Sequence, residues 1–194
     1  MVAFSAKVSQ ESDQLKAIEN ALTLLSFKYL LLGVTQEQRS GKGKLTNSEL
    51  AYIHEHGEPS VNIPARPFMA PTLRANTKNI DQALKNAMSF AIAGKLDDVD
   101  RQLHALGMHL VNGMRARILA HIPPPLKPKT LRLRRERGNF DDTPLKDTTQ
   151  LLRSLGYVVK TIGEAVKPPQ APPTPTTPVK QSWFQKIINK FKFW

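Results

Sequence analysis

The chain has 194 residues and no cysteine, which excludes disulfide bonds, thiolate nucleophiles, iron–sulfur clusters and cysteine zinc sites. Its longest apolar runs fall far short of the roughly 20 residues that a membrane-spanning helix needs, so no span is predicted. The first residues lack a basic stretch followed by an apolar one, so no secretory signal is expected. These features favour a protein that acts in a cytoplasm or in a particle assembled there, and the length excludes a large multidomain enzyme.

Acidic residues are scarce beside basic ones: 16 Asp and Glu stand against 28 Lys and Arg, which gives a net charge of +12. Nine of these net charges fall in residues 127–137 and in the segment after Val179. We interpret the first of these segments as a contact surface for DNA or for an acidic protein, with a solvated helix face as the alternative. This basic run consists of Lys127, Lys129, Arg132, Arg134, Arg135 and Arg137.

The hydrophobic pattern predicts alternating helical and extended elements. Thr46 and Glu49 have capping-box spacing, which predicts a helix that begins at Asn47 and stops at Gly57. Four prolines between Glu58 and Pro71 predict an ordered loop. Further helices are predicted after Ser12, at 72–93, from Asp97 to Ile118, within the basic run and at 148–155, and strands at 27–35 and 157–162. The helices at 72–93 and 97–118 are expected to form the core. The first has Ile80, Leu84, Ala87, Met88, Ala91 and Ile92 on one face, and the second has a stripe of Val99, Leu103, Leu106, Leu110, Met114 and Ile118.

The end of the sequence differs in composition from the rest. Six of the twelve residues at 167–178 are proline, which favours an extended polyproline linker. The residues that follow show helical spacing of apolar side chains between lysines, which predicts an amphipathic helix that docks onto a protein partner. Its docking residues are Trp183, Phe184, Ile187, Ile188, Phe191 and Trp194. Binding to a membrane surface and docking onto the parent domain are the alternatives, so the predicted organisation is a domain at 1–166, a linker at 167–181 and a docking helix at 182–194.

The motifs of known catalysts are missing from the sequence. His54 and His56 lie two residues apart, whereas a helical metal site places its histidines four apart. The segment RSGKGKLTN lacks the spacing of a phosphate-binding loop, and the acidic pairs at 97–98 and 141–142 suit caps and turns. His104, His109 and His121 are expected on one helix and have no adjacent carboxylate pattern. We therefore predict that the protein is not an enzyme and uses no cofactor or metal.

Two stretches resemble small virion morphogenesis proteins of tailed bacteriophages. The first is LGVTQEQRSGKGKLTNSELAYIHEHGEPSVNIPARPFMAPTL, which is similar to that family in its strand, its His-Glu-aromatic-Gly signature and its I-P-A-R-P-F block. His56 stands at the aromatic position. The second is TPLKDTTQLLRSLGYVV, which resembles the family's P-L-x-D-T-G block with Thr149 in place of the glycine. The resemblance extends over residues 32–159, about two thirds of the chain.

The resemblance implies a structural subunit that forms a ring at the phage neck or head-proximal tail end and acts in tail completion and head–tail joining. It also implies an α+β fold, in which a small, mostly antiparallel sheet packs with two longer helices. The expected partners are further copies in a hexamer, with a dodecamer as the alternative, and neighbouring neck, tail-terminator or tube proteins. The expected location is the virion, and the host cytoplasm during assembly. A basic nucleic-acid-binding phage protein and a membrane-surface protein are the rival interpretations.

The I-P-A-R-P-F block is the predicted contact with another subunit. Its prolines fix φ near −65°, so the loop presents its side chains with little loss of entropy on binding. The residues assigned to this interface are Ile63, Pro64, Arg66, Pro67 and Phe68. The alternative, given equal weight, is that Ile63 and Phe68 fasten the loop to the core of their own chain.

Overall fold

The structure is a computed structural model that describes residues 2–35 and 45–161, with side chains from Asp13 onward. These residues form seven α-helices, one 3-10 helix and two strands. In chain order they are α1 (Val2–Ser26), β1 (Lys28–Val34), α2 (Asn47–His56), the 3-10 helix Pro59–Val61, α3 (Met69–Ala75), α4 (Thr77–Ile92), α5 (Leu96–Leu119), α6 (Pro128–Glu136), α7 (Gln150–Ser154) and β2 (Leu155–Thr161).

The sheet joins the two ends of the described chain. β1 and β2 pair antiparallel along their whole length, from Lys28 opposite Thr161 to Val34 opposite Leu155. α5 packs on both strands and also contacts α3 and α4, so it is the central element. α1 packs against α4 and β1. The α+β class and the small antiparallel sheet with longer helices are confirmed, with α1 as an additional long helix.

The core lies on both sides of α5. The predicted stripe of this helix is confirmed, because all six of its apolar side chains are buried: Val99, Leu103, Leu106, Leu110, Met114 and Ile118. One cluster joins the second half of α5 to α2, the proline-rich loop and α7. Another joins its first half to α1 and α4 through the small side chains of Ala21, Ala87 and Ala91.

The face of α4 that packs into the core differs from the predicted one. Leu84 and Ile92 were expected among the buried residues, but they are 51% and 42% exposed. The buried face is instead lined by alanines, Ala83, Ala87 and Ala91, spaced four residues apart. Alanines allow α5 and α1 to approach α4 closely, so the larger side chains on either side of the alanine row remain in solvent.

The predicted helix at 72–93 is two helices. Asn76 separates them, with φ −106° and ψ 12°, and its side-chain amide donates to Thr72 O at 2.9 Å. The first of the two, α3, begins at Met69, inside the expected loop. The helix expected after Ser12 begins instead at Val2. His121, expected on α5, lies beyond its end with φ 54°.

The remaining elements agree with the sequence. α2 has the predicted bounds and capping box, β1 lies within the predicted 27–35, and the basic run contains α6. α7 and β2 fall at the predicted positions, within one to two residues. The linker at 167–181 and the docking helix at 182–194 lie outside the described residues, so both stay predictions.

Candidate assembly surfaces

The proline-rich loop, residues 57–68, is built onto the end of α2. Gly57 ends the helix at φ 77°, and a Cβ there would lie 2.7 Å from the backbone nitrogen of Ala65. Only glycine permits both that backbone conformation and this close return of the loop. The loop is held in place by a bond from Arg66 N to His54 O at 2.7 Å.

Glu55 connects α2 to the start of α3. Its carboxylate accepts from three consecutive backbone groups, Phe68 N at 2.8 Å and Met69 N and Ala70 N at 2.9 Å each. These are amide groups that a helix N-terminus leaves without intrahelical partners. The glutamate of the His-Glu signature therefore fixes the P-F end of the loop, which explains why α3 begins earlier than predicted.

The residues assigned to a subunit interface are mostly covered by their own chain. Phe68 is fully buried and Arg66 is 6% exposed, while Ile63, Pro64 and Pro67 are half-buried. Phe68 therefore fastens the loop to its own core, as in the alternative interpretation, and is not presented to a second subunit. Arg66 is likewise turned inward. Ile63, Pro64 and Pro67 stay predicted contacts.

Three cations hold the loop through backbone carbonyls. Prolines have no N–H, so the loop offers more acceptors than donors. Two of the bonds end on loop carbonyls, Lys127 Nζ to Asn62 O at 3.2 Å and Arg117 Nε to Pro67 O at 3.0 Å. In the third, Arg66 of the loop donates through Nη2 to Pro124 O, outside the loop, at 2.8 Å. Burial and the nearby charge of Arg134 lower the pKa of Arg66. None of the three cations forms an ion pair within residues 2–35 and 45–161.

Arg134 of the predicted polyanion surface has a structural role. It is 5% exposed, and its guanidinium donates to Asp141 O and Thr143 O at 3.0 Å each. Its Nε lies 3.4 Å from an oxygen of Asp147. The prediction that Arg134 faces a polyanion is therefore wrong for this chain, because the side chain is enclosed by the loop at 139–147.

The other five members of the basic run are exposed: Lys127, Lys129, Arg132, Arg135 and Arg137. Arg132 lies 3.8 Å from Glu136 and Arg137 lies 3.3 Å from Asp147. Lys129 and Arg135 form no ion pair in the described part of the chain. Exposed pairs of this kind stabilise a protein by only about 0–1 kcal/mol, so the side chains can be redirected toward a partner.

Three further cations, which lie on either side of this run in the sequence, were not predicted as contact residues: Arg115, Arg117 and Arg153. The sequence feature that points to two of them is a stretch without acidic residues. Between Arg101 and Arg135 the sequence has eight basic residues and no acidic one. Because α5 supplies the first part of this span and α6 the second, the positive charge extends from the end of α5 over α6.

His54, His109 and Asp141 have local structural roles. Burial, with a smaller contribution from the charge of Arg66, lowers the pKa of His54 from 6.5 to about 4, so it is neutral at pH 7. His109 bonds to Asn76 Oδ1 at 2.9 Å, and Asp141 accepts from Thr143 N at 2.8 Å. Bonds to Lys146 and Thr143 lower the pKa of Asp141. No group of three metal-ligating side chains occurs among the described residues.

Comparisons of the chain with protein-family models, curated proteins and solved structures find no match. Among residues 2–35 and 45–161, no helix combines the length and the apolar character needed to cross a membrane.

Proposed function

We propose that the chain is a structural subunit of a tailed-phage neck or head-proximal tail end, where copies form a ring that acts in tail completion and head–tail joining. The observation that carries this proposal is the meeting of the motif-bearing segments in one core cluster. Ala51 of the signature helix, Phe68 of the I-P-A-R-P-F block, and Leu145, Leu151 and Leu155 of the second stretch belong to it. Residues up to about 100 positions apart in the sequence thus make one packed unit.

Polar contacts support the same proposal. Glu55 of the first stretch fixes the start of α3, and Asp147 of the second accepts from Asn139 Nδ2 at 3.1 Å and pairs with Arg134. The residues that carry the resemblance are therefore those that hold this half of the fold together. A chain that kept the fold of the family would be expected to keep these residues.

The decisive experiment is the protein composition of the assembled particle. Mass spectrometry of purified virions should detect the chain at a fixed copy number, six per particle being favoured and twelve being the alternative. Imaging should place it at the neck or the head-proximal tail end. A chain that is absent from purified virions, although present in the infected cell, would overturn the structural assignment.

Binding to nucleic acid is a second candidate function, favoured by the exposed cations of α6 and the acid-free span from Arg101 to Arg135. Neutralisation of phosphates makes affinity fall steeply with salt, with a log–log slope of about −0.9 per phosphate contacted on a duplex. Titration of the full chain with a 20-base-pair duplex at increasing salt tests this. A chain that does not bind at 50 mM salt rejects it.

The residues from Ser182 to Trp194 are proposed to dock onto a neighbouring subunit. In the predicted polyproline geometry, twelve linker residues at about 3.1 Å each would span roughly 37 Å, the width of a small domain. Deletion of Ser182–Trp194 should leave the thermal transition unchanged and weaken assembly with the neighbour. Normal assembly of the truncated chain, or loss of its fold, would contradict docking, and co-sedimentation of the full chain with liposomes would favour the membrane.

A further inference from the structure

An open depression lies where the end of α5 meets α7. Its volume is about 610 Å³, and it is lined by Arg115, Leu119, Leu152 and Arg153. Leu119 is 48% exposed and Leu152 is half-buried, so the depression presents apolar surface beside two cations. The depression is open rather than enclosed, which suits side chains of a protein partner better than a small ligand.

Arg115 is held firmly in this depression without a carboxylate. Its Nε donates to Leu152 O at 3.2 Å and its Nη2 donates to Leu155 O at 2.7 Å. A guanidinium has five N–H groups, so two of them fix the side chain and the others remain for a ligand. Arg153 is exposed, and neither arginine forms an ion pair within the described residues. The depression therefore favours an acidic group that lies next to an apolar side chain.

The N-terminal end of α5 carries both an acidic side chain and apolar side chains. The turn between α4 and α5 exposes Ile92 and Leu96, which are 42% and 41% exposed, beside the exposed Asp97. Asp98 pairs with Arg101, and Asp100 pairs with Lys28. Asp97 forms no ion pair in the described chain. Residues 92–100 contain three acids and one lysine, whereas the span that follows is the acid-free one.

These two surfaces cannot meet within one molecule. α5 has 24 residues, which at about 1.5 Å per residue places its ends roughly 36 Å apart. We propose that the α4–α5 turn of one copy, through Leu96 and Asp97, occupies the depression of Arg115, Leu119, Leu152 and Arg153 on a second copy. The contact is head-to-tail, so repetition generates a ring when the rotation closes and a filament when it does not. This interface rests on the proposed function in one respect: the proposed ring requires a contact between copies, and this is the contact assigned to it.

A second copy fits the depression better than the other occupants. The chain's own residues 162–194 contain five lysines and one glutamate, so the two arginines repel them. DNA would satisfy the arginines and leave the leucines in water. The α4–α5 turn supplies the Asp97 carboxylate next to the apolar side chain of Leu96.

Sedimentation velocity of the full chain, over a range of concentrations, tests the interface. We expect the weight-average mass to rise with concentration above the 21.7 kDa of one chain. Leu119→Asp and Asp97→Arg should each weaken self-association about tenfold or more, because each removes one half of the contact. Matched substitutions on α4, Leu84→Asp and Asp81→Arg, should leave it unchanged, since both side chains are exposed and neither belongs to the α4–α5 turn or to the lining of the depression.

A charge exchange provides the sharpest test. Chains with Asp97→Arg and chains with Arg153→Asp should each associate weakly alone and associate more tightly when mixed, because each altered turn then meets an altered depression.

Thermal melting confirms that the variants are folded, and Arg115 is left unchanged because it supports α7 and β2. A wild-type chain that stays monomeric would overturn the interface, as would mixed variants that associate no more tightly than each variant alone. The interface is also overturned if the α4 variants weaken self-association equally, or if treatment with nuclease abolishes self-association. A monomeric chain found in virions rejects only this interface, whereas an associating chain absent from virions rejects only the phage assignment.

Discussion

At the level of single residues, Glu55 of α2 holds the end of the proline-rich loop and the start of α3. One carboxylate accepts three amide groups at the start of α3, at 2.8–2.9 Å. Glu55→Ala should lower the free energy of unfolding by about 2 kcal/mol, since loss of a cap costs about 0.5–2 kcal/mol and part-buried amides lose their partners. Urea denaturation measures this. Glu136→Ala, on the exposed face of α6, is the control and should change stability by less than about 0.5 kcal/mol. Equal effects of the two substitutions would show that the carboxylate does not hold the loop.

His54 should make stability depend on pH. Its pKa is lowered to about 4 in the folded chain, first by burial and then by Arg66, whereas the unfolded chain has a pKa near 6.5. The neutral side chain therefore favours the folded state fully above pH 6.5. This stability is lost as pH falls from 6.5 toward 4, because the unfolded state takes up the proton first. The total loss is roughly 3 kcal/mol.

The His54 effect is measured by urea denaturation between pH 4 and 7. His54→Gln should remove this part of the pH dependence, whereas His56→Gln, at the exposed end of α2, should retain it. The carboxylates contribute equally to the pH dependence of stability in both variants, so their contribution cancels when the two profiles are compared. Parallel profiles for wild type and His54→Gln would show that His54 is protonated in the folded chain as easily as in the unfolded one.

The sequence predicted residue roles where the partners are close in the chain. Thr46 and Glu49 are three residues apart, and their reciprocal cap follows from that spacing. Glu55 meets groups 13 to 15 residues away, and Arg134 meets carbonyls at Asp141 and Thr143. Such contacts depend on the path of a loop, which no periodicity encodes. The burial of Arg134 could therefore not be predicted from a run of similar cations.

Among the elements, α5 and β2 approach each other closely at Gly107. A Cβ at this position would lie 2.4 Å from Cδ2 and 2.6 Å from Cγ of Tyr157. Gly107→Ala should therefore lower the free energy of unfolding by about 1–3 kcal/mol through overpacking, even though alanine favours the helix itself by about 1 kcal/mol. Thermal or urea unfolding measures the change.

A double substitution separates these two contributions at Gly107. In a Tyr157→Ala background the ring is absent, so Gly107→Ala should be neutral or should stabilise the chain by up to about 1 kcal/mol. If Gly107→Ala destabilises the chain equally in both backgrounds, the ring does not set the distance between α5 and β2.

The predictability of the elements follows the strength of their local signals. α5 has a continuous apolar stripe and β1 a dense apolar run, and both were predicted. The break at Asn76 was not, because its side chain bonds to the preceding turn while the ring of His109, 33 residues away, bonds to it. The exposure of Leu84 also depends on its neighbours, since α5 and α1 pack against the alanine row instead. Periodicity shows that a face is apolar but not which helix will cover it.

For the whole molecule, the distribution of charge matters more than its sum. The acid-free span places exposed cations along α6 and at the end of α5, while residues 92–100 hold three acids at the other end of that helix. An excess on one side steers a polyanion to that side, whereas the same charge spread evenly would attract it without orientation. The structure reduces the six predicted contact residues to five, because Arg134 is enclosed.

Reversing charge on α6 tests whether position or net charge governs polyanion binding. Lys129→Glu with Arg135→Glu should weaken binding of a 20-base-pair duplex and reduce the magnitude of the log–log salt slope by about 2, as expected for two lost phosphate contacts. The control, Lys78→Glu with Lys85→Glu on the exposed face of α4, lowers the net charge from +12 to +8 in the same way and should change the slope little. Both pairs form no ion pair in the described chain, so thermal stability should be similar. Anisotropy titrations between 50 and 200 mM salt measure the slopes. Equal losses in the two variants would mean that α6 is a solvated face and that the duplex responds only to the total charge.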